Sequence, residues 1–161
     1  MTVRPATDAD RAAIRAVVEA AFAQTDEAEL VERLRADGDV IVELVAEDDD
    51  GVVVGHILFS PMTSSAGAQV ASLAPVSVRP DRQGEGIGGD LIIAGIEACR
   101  AAGVDLIVVL GHAAYYPRFG FDAGAAEVLA APFSGEHFMA LELTPGALAP
   151  MRVGYARAFG L

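Results

Sequence analysis

Residues 70–110 read VASLAPVSVRPDRQGEGIGGDLIIAGIEACRAAGVDLIVVL, and this stretch decides the fold. Val70 to Val78 is a strand, rich in β-branched residues. A helix follows from about Gly86 to Ala102, with Leu91, Ile92, Gly95, Ile96 and Cys99 at helical spacing on its inner face. Gly103 ends the helix, and Val104 to Leu110 is a nearly continuous apolar strand of the kind buried on both faces. Strand, helix and strand make one crossover, which predicts a parallel, right-handed pair. Between the first strand and the helix lies a glycine-rich segment, Gln83 to Gly89.

Upstream, Thr2 to Pro5 is a short edge strand. Thr7 and Asp10 form a capping-box-like pair ahead of a helix whose apolar face is Ile14, Val17, Val18, Ala21 and Phe22. A second helix runs from about Glu27 to Ala36, burying Leu30, Val31 and Leu34 and stopping at Gly38. Val40 to Glu47 and Val52 to Phe59 form a hairpin around Asp48-Asp49-Asp50-Gly51, and Pro61 to Ala68 is a loop. Downstream, Ala113 to Phe119 is a short helical turn closed by Gly120, and Phe138 to Leu143 is the last strand.

The whole chain has 161 residues, 53% of them hydrophobic, with mean hydropathy +0.40, which suits one folded domain over residues 1–161. No apolar run reaches the roughly 18–20 residues that span a bilayer, and Met1 to Ile14 has no signal-peptide pattern. A single cysteine, Cys99, forms no internal disulfide and has no metal-ligand spacing around it, so a reducing cytoplasm and no metal are expected. Formal net charge is −12, and all 11 basic residues are Arg. That field disfavours nucleic acid and anionic membranes and draws in cationic ligands.

Gly84, Gly86 and Gly89 satisfy the dinucleotide spacing G-x-G-x-x-G. The context opposes it: Arg79 to Gln83 separate the strand from the glycines, and Asp105 opens the next strand instead of closing it. A Walker loop needs a lysine, and the chain has none. Read as Gln83-x-x-Gly86-x-Gly88, the segment is an anion cradle of exposed N–H groups at a helix start. Glycine at 84, 86 and 88 lets phosphate oxygens approach, and Arg79 and Arg82 stand beside it. A turn that merely packs helix on sheet is the competing reading.

Arg82-Gln83-Gly84-Glu85-Gly86-Ile87-Gly88 resembles the acetyl-coenzyme A pyrophosphate motif of the GNAT acyltransferase superfamily. Leu73 to Val78 resembles that family's fourth strand, and Gly111 to Phe121 resembles the segment carrying its acid tyrosine in a bacterial subgroup of acetyltransferases. Phe138 to Leu143 continues the match, which spans essentially the whole chain. The resemblance implies an α+β fold: one GNAT-type domain with a mixed, mostly antiparallel sheet flanked by helices and splayed between the fourth and fifth strands. Pro75, anomalous inside an apolar strand unless that strand lies at an edge, would then mark the splay where the pantetheine arm enters.

The resemblance also implies the site. Acetyl-coenzyme A, with no metal, would be held by Val76, Ser77, Val78, Arg82, Gln83, Gly84, Glu85, Gly86, Ile87, Gly88 and Gly89. Tyr116 would protonate the coenzyme A sulfur, with Tyr115 packing beside it, and the Val76 N–H would meet the oxyanion. Gly86→Val should then weaken binding. The base stays open. Ser72, Leu73 and Ala74 offer no carboxylate on the fourth strand; His56, Glu136, His137 and a water chain are the candidates. Glu43, on the face opposite Val40, Val42 and Leu44, reads as solvated, and His112 as a cap for the following turn. The function implied is N-acetylation of a small amine or peptide amine by direct attack in a ternary complex, by a monomer or homodimer. A catalytically silent acyl-coenzyme A sensor is the alternative.

Overall fold

The computed structural model describes residues 1–161. In chain order the elements are β1 (Thr2–Pro5), α1 (Arg11–Phe22), α2 (Asp26–Asp37), β2 (Val42–Glu47), β3 (Val53–Ser64), β4 (Val70–Val78) and α3 (Ile87–Ala101). They continue with β5 (Leu106–Leu110), α4 (Ala123–Ala126), β6 (Leu129–Ala130), β7 (Phe138–Glu142) and β8 (Met151–Gly154). The main sheet has the order β1-β2-β3-β4-β5-β7, and β8 pairs with β3 and β6. Every pairing along the main order is antiparallel except β4 with β5, the crossover expected from residues 70–110.

Both faces of the sheet are covered. One carries α3, whose Ile87, Leu91, Ile92, Ile96 and Cys99 pack on Val54, Ile57, Phe59, Leu73 and Val109. The helix lies close because Gly95 faces the Phe59 ring: a Cβ there would stand 2.3 Å from Phe59 Cε1. The other face carries α1 and α2, with Ile14, Val17, Val18, Val31 and Leu34 against Val45 and Leu58. A third cluster, built from Leu106, Val108, Phe138, Leu129 and Met151, closes the β5–β7 end.

Three sequence expectations change. Residues 61–64 are not loop but the end of β3, where Pro61 and Met62 face Ala71 and Val70, and Thr63 and Ser64 pair with β8. Partners about ninety residues downstream in sequence extend this strand, and no local pattern announces them. Phe138–Glu142 is not the last strand, because β8 follows it. On α2, Ala28 is buried in place of Leu30, which is only half-buried.

The feature that shapes the site is in β4. Ile57 opposes Val76 and Phe59 opposes Leu73, so two steps of β3 match three of β4. One extra residue is therefore accommodated around Ala74-Pro75, a bulge. Pro75 is buried and β4 is interior, so the edge-strand explanation of this proline falls away. The parallel ladder to β5 covers only Val70, Ser72 and the residue between them, and β4 runs on without a partner on that side.

Candidate active site

Beyond Ser72, β4 is hydrogen-bonded to β3 alone. Arg79 N–H donates to Val54 O at 2.8 Å, which makes Gly55 and Val78 a non-hydrogen-bonded pair of the ladder. By the alternation of antiparallel ladders, Ile57 and Val76 are another. The main-chain N–H and C=O of Val76 and Val78 therefore turn toward the gap that β5 has left. A cleft of about 210 Å³ follows this edge, lined by Val76, Ser77, Val78, Gln83, Gly88 and Tyr115, with Phe22 of α1 across it. Phe22, at the end of the apolar face of α1, is 38% exposed and lines the cleft.

At the far end of the cleft stands the start of α3. Gly84 and Gly86 have φ of +80° and +87°, and Gly86 is the N-cap. These two glycines are needed for the turn itself. A Gly86→Val change would strain the backbone with or without a ligand, so it is a poor probe of binding. Gly88 differs. Its φ is not positive, and a Cβ there would meet Tyr115 Oη at 3.6 Å and Val78 Cγ2 at 3.7 Å, ordinary contacts. It keeps the cradle open rather than bending the chain.

The cations beside the cradle are already paired. Arg79 binds Asp81 at 2.8 and 2.6 Å, and Arg82 binds Glu85 at 3.0 and 3.2 Å, with Asp48 3.5 Å away. Gln83 Nε2 donates to Val78 O at 3.0 Å, folding its side chain back over the strand end.

The two adjacent phenols divide. Tyr115 reaches toward Gly88 at the helix start, with Arg118 stacked 4.6 Å from its ring centroid. Tyr116 is 8% exposed, edge-on to Phe121 and pressed against Gly111, where a Cβ would stand 2.3 Å from Tyr116 Cε2. Gly111 follows β5 directly, so Tyr116 packs in the core just past the end of that strand, while Tyr115 lines the cleft with its Oη by the helix start. Burial pushes the Tyr116 hydroxyl up to about 12, so it holds its proton at neutral pH.

The base candidates separate as well. Glu136 and His137 are exposed at the start of β7, with His137 Nδ1 2.9 Å from Gly111 O. Glu136 and Glu127 rim a hollow of about 390 Å³ floored by Leu129, Phe133 and Phe138. His112 is exposed, and its carbonyl accepts from the Tyr115 and Tyr116 N–H groups at 3.0 and 3.3 Å, so it holds the turn by main chain. His56 is fully buried, its Nε2 2.7 Å from Glu43 Oε2. Glu43 is not solvated: its side chain is 11% exposed and takes a two-pronged hydrogen bond from Arg35 of α2. Burial raises the Glu43 carboxyl, but the bonds from His56 and Arg35 outweigh it and the net shift is downward. Burial pulls His56 below its ordinary 6.5, against the opposing pull of Glu43.

Comparison with known proteins agrees with this arrangement. A GNAT acetyltransferase domain family matches residues 2–124. The N-acetyltransferase YjhQ of Escherichia coli K12, itself uncharacterized, is 42% identical over 123 residues, covering 73% of this chain and 67% of that one. The crystal structure of the Escherichia coli GNAT protein YhbS in complex with CoA superposes with a TM-score of 0.88 at 31% identity, over 99% of this chain and 92% of that one. A Brucella melitensis GNAT acetyltransferase in complex with acetyl-CoA gives 0.83 at 41% identity, over 98% and 97%. With its interior strand bulged at Pro75 and parted from β5 beside a glycine-built helix start, the chain belongs to the GNAT acetyltransferase family.

Proposed function

We propose that the protein transfers the acetyl group of acetyl-coenzyme A to a primary amine, by direct attack with both substrates bound. The observation that carries this is the unpartnered edge of β4, with Val76 and Val78 turned into the cleft beside the Gly88 cradle. An amide-rich arm pairs with such an edge as an added strand would. The N–H groups from Gln83 to Gly88, Glu85 and Ile87 included, then take the pyrophosphate, aided by the helix dipole. Ser77 lines the cleft between Val76 and Val78, and Gly89 follows the cradle in the first turn of α3. Exposed ion pairs contribute only about 0–1 kcal/mol, so Arg82 can leave Glu85 for a phosphate at little cost. Gln83 likewise releases Val78 O when the arm arrives. The Val76 N–H donates to the thioester oxygen, and Tyr116, just past the end of β5 and protonated, donates to the sulfur. The two carboxylates on the 390 Å³ hollow favour a cationic acceptor.

Gly88→Ala tests the cradle. The added Cβ meets only ordinary contacts in the free protein and occupies the space a phosphate oxygen needs, so the melting temperature should hold while acetyl-coenzyme A binding, by calorimetry, weakens at least about tenfold, or roughly 1.4 kcal/mol. Unchanged affinity in a folded Gly88→Ala protein would remove the assignment.

A further inference from the structure

The sheet face beneath α1 and α2 carries buried polar groups: Glu43 of β2, His56 of β3 and Ser77 of β4 form one line, which Arg35 reaches from α2, and Ser60 and Ser72 form a separate facing pair farther along β3 and β4. His56 is 0% exposed and Ser77 5%, and they stand directly opposite each other in the β3–β4 ladder. His56 uses Nε2 for Glu43; its Nδ1 has no partner, and neither does Ser77 Oγ. A buried polar group left unsatisfied costs about 1–3 kcal/mol. Two such groups on facing residues therefore call for a common partner. Opposed residues have Cβ atoms about 4.5–5.5 Å apart, a spacing that one bridging water can serve. Ser77 in turn lines the cleft with Phe22 and Tyr115.

We propose that His56, oriented by Glu43 and Arg35, accepts the acceptor amine's proton through Ser77 and a water joining Ser77 Oγ to His56 Nδ1. The inference rests on the transferase reading above. Since the Glu43 carboxylate accepts from Nε2–H, the neutral ring is fixed in the tautomer that leaves the Nδ1 lone pair free. The charged groups that face the ring are Glu43 from β2 and Arg35 from α2; α1 brings Ile14, Val17 and Val18 to this layer. Desolvation keeps His56 neutral at pH 7, ready to take a proton, and Glu43 then faces the imidazolium.

The protons balance. An ammonium acceptor has three N–H bonds and the amide product one. The first N–H bond breaks toward the Ser77 wire as an N–H bond forms at His56 Nδ1, which frees the nitrogen lone pair. That pair forms the C–N bond while the C–S pair departs with sulfur. Tyr116 gives its O–H proton to the sulfur and recovers one from the nitrogen. The proton on His56 returns to solvent along the same wire after product leaves.

His56 and Ser77 act through a water, so the test reads protonation as well as rate. In 15N-labelled protein saturated with coenzyme A, the His56 ring is identified by its loss in His56→Gln. The proposal expects the Nε2–H tautomer, protonation at Nδ1 on acidification, and a shifted Nδ1 signal in Ser77→Ala. Rates are followed as thiol release from acetyl-coenzyme A with spermidine, benzylamine and an alanyl dipeptide. His56→Gln should lower kcat by roughly 10²–10⁴, leave the KM for acetyl-coenzyme A within about twofold, and abolish the acidic limb of the kcat–pH profile. Ser77→Ala, which removes a hydroxyl that bonds to no other protein group, should reproduce the loss of that limb. An Nδ1–H tautomer, or a wild-type acidic limb in folded Ser77→Ala, overturns the relay while leaving the transferase reading standing. A wild-type protein silent with all three amines overturns the transferase reading and the relay together.

Discussion

Adjacent phenols in one short turn are aimed differently by their backbone positions. Tyr115 extends over Gly88 at the start of α3, whereas Tyr116 packs on Gly111 just past β5. Tyr116→Phe should therefore lower kcat by roughly 10²–10⁴ with acetyl-coenzyme A affinity nearly intact. Tyr115→Phe should alter affinity more than turnover. Steady-state kinetics with calorimetry on both variants decides this, and turnover at the wild-type rate in Tyr116→Phe would exclude it as the acid. The residue scale is also where sequence is hardest to read. The alternation of β2 puts Glu43 opposite Val42 and Leu44, which reads as a solvated position, yet α2 covers that face and supplies Arg35. Phe22 continues a helical apolar stripe and still belongs to the cleft, since the stripe outruns the sheet it covers.

Among elements, the Arg35–Glu43–His56 chain ties α2 to β2 and β3 through buried charge. Its stability contribution depends on pH with a definite sign. The unfolded chain protonates its histidine near 6.5, while folding holds His56 below that value. Between the two, the unfolded state binds more protons, so stability falls as pH drops below about 6.5. Glu43 and Asp10, lowered from 4.5 and 3.8, add losses at more acidic pH. The melting-temperature advantage of wild type over His56→Gln should shrink between about pH 8 and about pH 5, a comparison that cancels the titration of the other groups. One pH unit of depression is worth about 1.4 kcal/mol, or roughly 3–6 °C for a chain of this size. A pH-independent difference would mean that the ring is not buried neutral. The elements themselves divide by range. The β4–α3–β5 unit is legible because its periodicity and glycine punctuation are local. The extension of β3 through Pro61 and the pairing of β8 are not, because their partners lie far along the chain.

For the whole molecule, a net charge of −12 coexists with a site for an anionic co-substrate, and the two are reconciled locally. The arginines by the helix start sit in exposed pairs with Asp81 and Glu85, which leaves main-chain N–H groups and the helix dipole as the proposed phosphate cradle. The remaining acidity suits a cationic acceptor and disfavours nucleic acid. The charge and the glycine motif are legible in the sequence because both are local or additive, whereas the hollow proposed for the acceptor is assembled from α4, β6 and the start of β7, which no single stretch encodes. The central claim is amine-dependent transfer from acetyl-coenzyme A, and its most direct measurement is time-resolved thiol release with a panel of primary amines, the acetylated amine being identified by mass spectrometry. The account predicts release that depends on the amine and matches the acetylated product mole for mole. Tight binding of acetyl-coenzyme A with no thiol released by any amine would contradict it, and would make the protein a sensor of the thioester instead.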